Sequence, residues 1–239
     1  MTALKCPEGP AVLAETEELR WLYKPPGLPV FPPHGDPEGP SLYAALPQLV
    51  SDPLLTFPRG FEGGLAHRLD TSTSGLVLAA RTPEALTRLR ALFSGGRLEK
   101  RYVFIARNDV PWHEHLLELP IGHHPSRRDR MVVQRGPNTQ ARGHFYPAHT
   151  RLRRVEGRLW EAVITTGVMH QIRAHAASVG LALLGDHLYG GGALPEGLAP
   201  PGVRFCLHHA ETLGLPGPQV SVLSPSWWPR SGATPPAGG

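Results

Sequence analysis

Glycine and proline interrupt this chain too often for long helices. Together they fill 54 of its 239 positions, 27 each. Proline removes a backbone donor and glycine loses more conformational entropy on ordering, so both belong in turns. The density disfavours a helical bundle and favours many short elements joined by defined loops. With 41% hydrophobic and 18% charged residues, the chain is globular in composition. Its length suits one large domain or two small ones. It contains no run of about 18 apolar residues, the length a membrane span needs. The opening MTALKCPEGPAVLAETEELR has no apolar secretory core, so a cytoplasmic location is expected. Cys6 and Cys206 lie far apart and no CxxC pair occurs, which supports neither a zinc knuckle nor a disulfide framework.

The pattern predicts strands over residues 19–23, 75–80, 101–106 and 159–166, rich in β-branched, aromatic or apolar residues. Residues 31–64 read as mostly irregular, with one weak helix near 41–49. A better-signalled helix follows Thr82, with Pro83 at its first position, Leu86, Leu89 and Phe93 at helical spacing, and Gly95-Gly96 at its end. Residues 107–158 read as short strands and loops. A helix is expected over 170–179, closed by Gly180, and a short strand over 181–184. The fold class expected is α+β, one catalytic domain with a mixed, largely antiparallel sheet flanked by helices and loops. Residues 1–19 read as a lead-in, 20–228 as the domain and 229–239 as a disordered tail rich in Pro, Gly and Ala.

Charge is unevenly placed. The formal net charge is +4, yet residues 125–154 hold eight arginines against one acid, Asp129. One basic stripe on an otherwise mildly acidic chain is the footprint of a polyanion partner, although a solvated surface loop would read the same way.

Three short stretches carry candidate chemistry. In His67-Arg68-Leu69-Asp70-Thr71-Ser72-Thr73-Ser74-Gly75, an aspartate sits among hydroxyls beside an arginine. Such a carboxylate stays ionised if hydrogen bonds and a cation favour its charged form, and can then act as nucleophile or base; on local features alone, a turn aspartate capping its own backbone is the default reading. In Thr166-Gly167-Val168-Met169-His170-Gln171-Ile172-Arg173-Ala174-His175, helical spacing puts His170 with Arg173 and Gln171 with His175. An arginine early in a helix opposes the helix dipole and calls for an anion, carboxylate or phosphate. In Glu99-Lys100-Arg101-Tyr102, the tyrosine opens an apolar strand and also suits a core position.

Taken together these stretches resemble the RluA-type pseudouridine synthases. HRLDTSTSGLVL is similar to that family's HRLDxxTSGLLL signature, YKPPGLPV to its opening motif and KRYVFIA to its KxYxAxV strand. TGVMHQIRAHAASVGLALLGDHLYGG, RFCLHHAETLGLPGP and IGHHPSRRDRMVV continue the likeness, over roughly residues 20–225. The resemblance implies a pseudouridine synthase fold and isomerisation of uridine to pseudouridine in tRNA and/or rRNA, without cofactor or metal. It implies Asp70 as the catalytic aspartate, Tyr102 as the tyrosine that packs on the base and helps remove its C5 proton, and Arg173 as the partner of Asp70. Arg68 would fill the gap left by a flipped nucleotide. His67, Arg128, Arg130, His170 and Gln171 complete the RNA-binding set.

Val168-Met169 stand where the family motif usually carries an arginine, and Phe104 replaces a small alanine. Residues 1–19 are too short and too acidic for the extra N-terminal RNA-binding domain of many members. A monomer is expected. A non-catalytic RNA-binding protein on the same fold is the alternative. A metal-dependent hydrolase is disfavoured, because His123-His124 and His208-His209 lack ordered ligand spacing and a clear third ligand.

Overall fold

The computed structural model describes residues 3–229. Nearly all of the expected tail lies outside the described residues. In chain order the elements are β1 (Ala11–Glu15), β2 (Leu19–Lys24), α1 (Leu42–Leu49), β3 (Ser74–Ala80), α2 (Pro83–Ser94) and β4 (Glu99–Ile105). They continue with β5 (Glu114–Leu117), β6 (Ile121–His123), β7 (Met131–Val133), β8 (Arg142–Tyr146), β9 (Thr150–Glu156), β10 (Leu159–Ile164), α3 (Gln171–Ser178) and β11 (Leu207–Leu213). The chain forms two compact units interleaved along the sequence. Among the described residues one holds 3–98, 200–203 and 208–226, and the other 99–199, 204–207 and 227–229.

In the first unit β1, β2 and β3 pair antiparallel and β11 joins β3 in parallel, so its sheet is mixed. Every residue of β2 and β3 is buried. Continuous burial is what a central strand covered on both faces requires, and it explains the near-unbroken apolar run of β3. Trp21, Tyr23, Leu76, Leu78 and Ala80 pack with Ala85, Leu86 and Leu89 of α2. That helix has the signalled ends. The Thr82 side chain accepts the Ala85 amide, Pro83 occupies the first turn, and Gly95 follows the last. Ser41 caps α1 in the same way. The lead-in contributes β1, whose Ala11, Leu13 and Ala14 pack on this core.

The second unit has two antiparallel sheets. One runs β4–β10–β9–β5 and the other β7–β6–β8. Ile121, Met131 and Val133 of the small sheet pack with Ala174 of α3 and with Tyr189. The mixed, largely antiparallel α+β architecture is as expected. Two local expectations differ. Residues 181–184 make one bridge, Leu183 to Ala106, rather than a strand, because the chain turns away at Gly185 in a left-handed conformation. The helix expected from His170 begins at Gln171.

Candidate active site

The Asp70 loop is held by three unrelated restraints within its unit. The Asp70 carbonyl accepts the Thr73 amide at 2.9 Å, closing a tight turn. The next carbonyl, that of Thr71, accepts the Gly27 amide at 2.8 Å and the Lys24 ammonium at 3.1 Å. Lys24 is fully buried, and its Nζ also donates to the carbonyls of Pro25 and Leu28, at 2.9 and 2.6 Å. All three ammonium hydrogens therefore have carbonyl acceptors. Burial pushes Lys24 down to about 7, while the nearby negative charge of Asp70 works in the opposite direction. At the loop's far end the Ser74 hydroxyl meets His208 Nδ1 at 2.9 Å, and His208 Nε2 lies 3.1 Å from the Val222 carbonyl. With Nε2 donating there, Nδ1 is left to accept from Ser74. Gly75 has φ +116°, and a Cβ there would lie 2.1 Å from the His209 carbonyl. Only glycine lets β11 approach so closely.

Asp70 is half-buried and Arg68 is exposed. His67 is engaged within the fold. Its Nε2 accepts the Leu78 amide at 3.0 Å, and its ring packs on Phe93 and edge-on to His209. Lys24 escaped the sequence reading. Its signal is a lysine ending an apolar strand, directly before Pro25-Pro26-Gly27.

In the second unit Tyr102 is buried on β4, opposite Ala162 of β10. Two positions earlier on the same face, Lys100 donates to the Thr166 carbonyl at 2.7 Å and so anchors the segment entering α3. Burial lowers its ammonium to about 8. Arg173 lies in the first turn of α3, and Asp186 supplies the anion that the helix dipole requires. Arg173 Nε donates to Asp186 Oδ2 at 2.7 Å and Nη2 to Oδ1 at 3.0 Å. The guanidinium carbon lies 4.3 Å from the Phe205 ring centroid and 5.1 Å from that of Tyr189. A planar cation fixed by a fork and two rings has little rotamer freedom. Asp186 was missed because its signal, the GDHLYGG stretch, contributes its aspartate 13 residues from the arginine.

His170 is not on a helical face with Arg173. It precedes the helix at φ 55°, a left-handed backbone unusual for a non-glycine residue. Its Nδ1 lies 3.1 Å from the Tyr189 hydroxyl, which also accepts the Met131 amide at 2.8 Å. Burial raises the Tyr189 phenol to about 12, so it stays protonated. Gln171 and His175 do share a face, meeting at Thr150. Gln171 Nε2 donates to the Thr150 hydroxyl at 3.0 Å, and that hydroxyl lies 2.8 Å from His175 Nδ1. Gln171 Oε1 accepts from the Thr166 hydroxyl and the Val168 amide. Buried and so engaged, Gln171 pins the turn before α3. Of the basic stripe, Arg128 is exposed and Arg130 half-buried, its guanidinium 5.4 Å from the Tyr189 centroid. Arg154 is structural. It bridges Asp109 to the Gly157 carbonyl and stacks on Trp160. Val168 packs beside Ala174 and Tyr189, whereas Met169 is 40% exposed. Among the described residues no three His, Cys, Asp or Glu gather to hold a metal ion, and no helix is long and apolar enough to cross a membrane.

Residues 19–178 match the model of the RNA pseudouridylate synthase family. The chain is 35% identical over 215 residues to ribosomal large subunit pseudouridine synthase D of Xanthomonas campestris pv. campestris, covering 84% of this chain and 60% of that protein. It is 34% identical over 190 residues to the protein of the same name from Escherichia coli K12, covering 77% and 53%. The chain thus spans about half the length of the curated relatives it matches. Its fold is similar to that of human RNA pseudouridylate synthase domain containing 1, with a TM-score of 0.69 at 20% identity over 92% of this chain and 84% of that one. The held aspartate loop, the buried tyrosine and the clamped arginine stand on motifs inside the matched span, and by that match the chain belongs to the RNA pseudouridylate synthase family.

Proposed function

We propose that this chain converts uridine to pseudouridine in RNA, with Asp70 as the catalytic aspartate. In this isomerisation the N1–C1′ bond breaks, a C5–C1′ bond forms, the C5 proton leaves and N1 takes up a proton. The reaction is balanced without oxidant, energy source or cofactor. The supporting observation is the rigidity of the Asp70 loop, pinned through the Thr71 carbonyl by Lys24 and Gly27. A carboxylate that acts on a flipped nucleotide needs such a preorganised seat. Tyr102 packs on the base and assists C5 deprotonation, and Arg173 holds charge and orientation at the reacting centre. Arg68 fills the vacated stack, and Arg128 and Arg130 bind phosphates, a salt-sensitive contribution.

The substrate class favoured is large-subunit ribosomal RNA, after the relatives' names. Residues 20–228 act as the catalytic region of a cytoplasmic monomer. The test is incubation of the protein with an unmodified large-subunit rRNA transcript, followed by nucleoside chromatography. Uridine should fall and pseudouridine rise in equal amounts. A parallel tRNA transcript separates the two substrate classes, and conversion in neither rejects the reading.

A further inference from the structure

The small sheet β7–β6–β8 presents an aromatic cluster that the proposed chemistry leaves unused. The register of β6 with β8 moves from Gly122↔Phe145 directly to His123↔Arg142, so Gly143 and His144 lie in a bulge. Gly143 supplies the left-handed backbone, φ +82°, with open space where a Cβ would be. Bulges re-aim side chains and are common beside functional sites. Here His144 is exposed, its ring centroid 4.2 Å from that of Tyr146 at a 55° tilt. Tyr146 is 36% exposed and stands edge-on to His123, at 6.3 Å and 84°. Neither histidine covers the tyrosine in a parallel stack, so an aromatic surface stays open to solvent.

The surroundings select the occupant. Residues 121–146 carry five arginines and one acid, Asp129. Asp129 is engaged by Arg127 at 3.2 and 3.3 Å. Arg142 stands opposite His123 across the pair and is exposed. Aromatic rings beside unopposed cations suit a group with a π-face joined to a phosphate.

We propose that His144 and Tyr146, flanked by His123 and Arg142, form a stacking seat for an unpaired nucleotide of the RNA, other than the uridine being isomerised. The proposal rests on the RNA reading above and adds a second recognition point. Any base has a face to stack, so the seat selects single-stranded character rather than sequence. It favours targets in loops over targets in continuous duplex.

The test uses the full chain and a fluorescent oligouridylate of about 12 nucleotides, a length within the span of known single-strand sites. His144→Ala with Tyr146→Ala should weaken binding roughly ten-fold, as expected for the loss of one stacked base, and leave the salt slope unchanged. Tyr146→Phe keeps the ring and should bind as wild type. The same oligomer carrying 5-bromouridine should photocrosslink to the peptide holding His144 and Tyr146. Wild-type affinity in the double variant, or crosslinks only elsewhere, overturns the seat while leaving the RNA reading intact. Failure of the unmodified protein to bind either the oligomer or an rRNA transcript overturns both.

Discussion

Asp186 grips Arg173 through two parallel hydrogen bonds, Nε to Oδ2 at 2.7 Å and Nη2 to Oδ1 at 3.0 Å, with both side chains almost completely buried. A buried guanidinium loses its hydration and needs this carboxylate. The pair also fixes the plane of the arginine against Phe205 and Tyr189.

Asp186→Ala removes the carboxylate that grips a buried guanidinium and should cost about 3–5 kcal/mol of stability. Asp186→Asn keeps the shape and should fold, but with the arginine loosened kcat should fall by at least about ten-fold. Steady-state kinetics and thermal unfolding separate the two effects. Unchanged kcat in Asp186→Asn would show that Arg173 needs no such orientation.

Lys24 holds the Asp70 loop through the Thr71 carbonyl. Lys24→Met fills the space without donating to the Pro25, Leu28 and Thr71 carbonyls. Turnover should drop roughly ten-fold or more, while RNA affinity stays near wild type, because the loss is of positioning. Equal losses in binding and turnover would place Lys24 in general folding instead.

Gly75→Ala should be among the most damaging single changes. The added methyl would sit 2.1 Å from a backbone oxygen of β11, at a φ that alanine avoids. A loss above about 3 kcal/mol is expected, read as a lowered denaturation midpoint or insoluble expression. Near-normal stability would mean that β11 moves freely relative to β3.

His208 sets an acid limit on stability. Burial depresses its imidazole to about 4. The unfolded chain therefore takes up a proton that the folded chain refuses between pH about 6.5 and about 4, and stability falls as pH drops through that window. The contribution is on the order of 3 kcal/mol. Denaturant midpoints measured from pH 7 to pH 4 should decline more steeply in wild type than in His208→Gln, even though that variant begins less stable. Parallel curves would remove His208 from the acid response.

Arg128→Ala with Arg130→Ala should weaken RNA binding and make log affinity less steeply dependent on log salt, the slope falling by about one for each phosphate that is no longer neutralised. An unchanged slope would take both arginines out of the interface.

Much of this architecture was legible in sequence because local signals agreed with the fold. Thr82-Pro83 and Gly95 mark α2 at both ends, and the buried run of β3 reads as a strand. The motifs named Asp70, Tyr102 and Arg173. Their supports were hidden, because each acts across a sequence gap. Asp186 meets Arg173 from a loop after α3, and Lys24 reaches Thr71 across 47 positions. His170 misled the helix boundary, since helical spacing cannot reveal a left-handed residue tied to Tyr189. Strand β1 was overlooked because its short AVLAE run is only partly buried at an edge.

Tritium release tests the central claim most directly. A large-subunit rRNA transcript labelled at C5 of uridine is incubated with the protein and with Asp70→Asn. The account predicts tritium release by wild type and none above background by the variant, which still binds the transcript. Release by Asp70→Asn at the wild-type rate, or no release by wild type that binds the RNA, would contradict it.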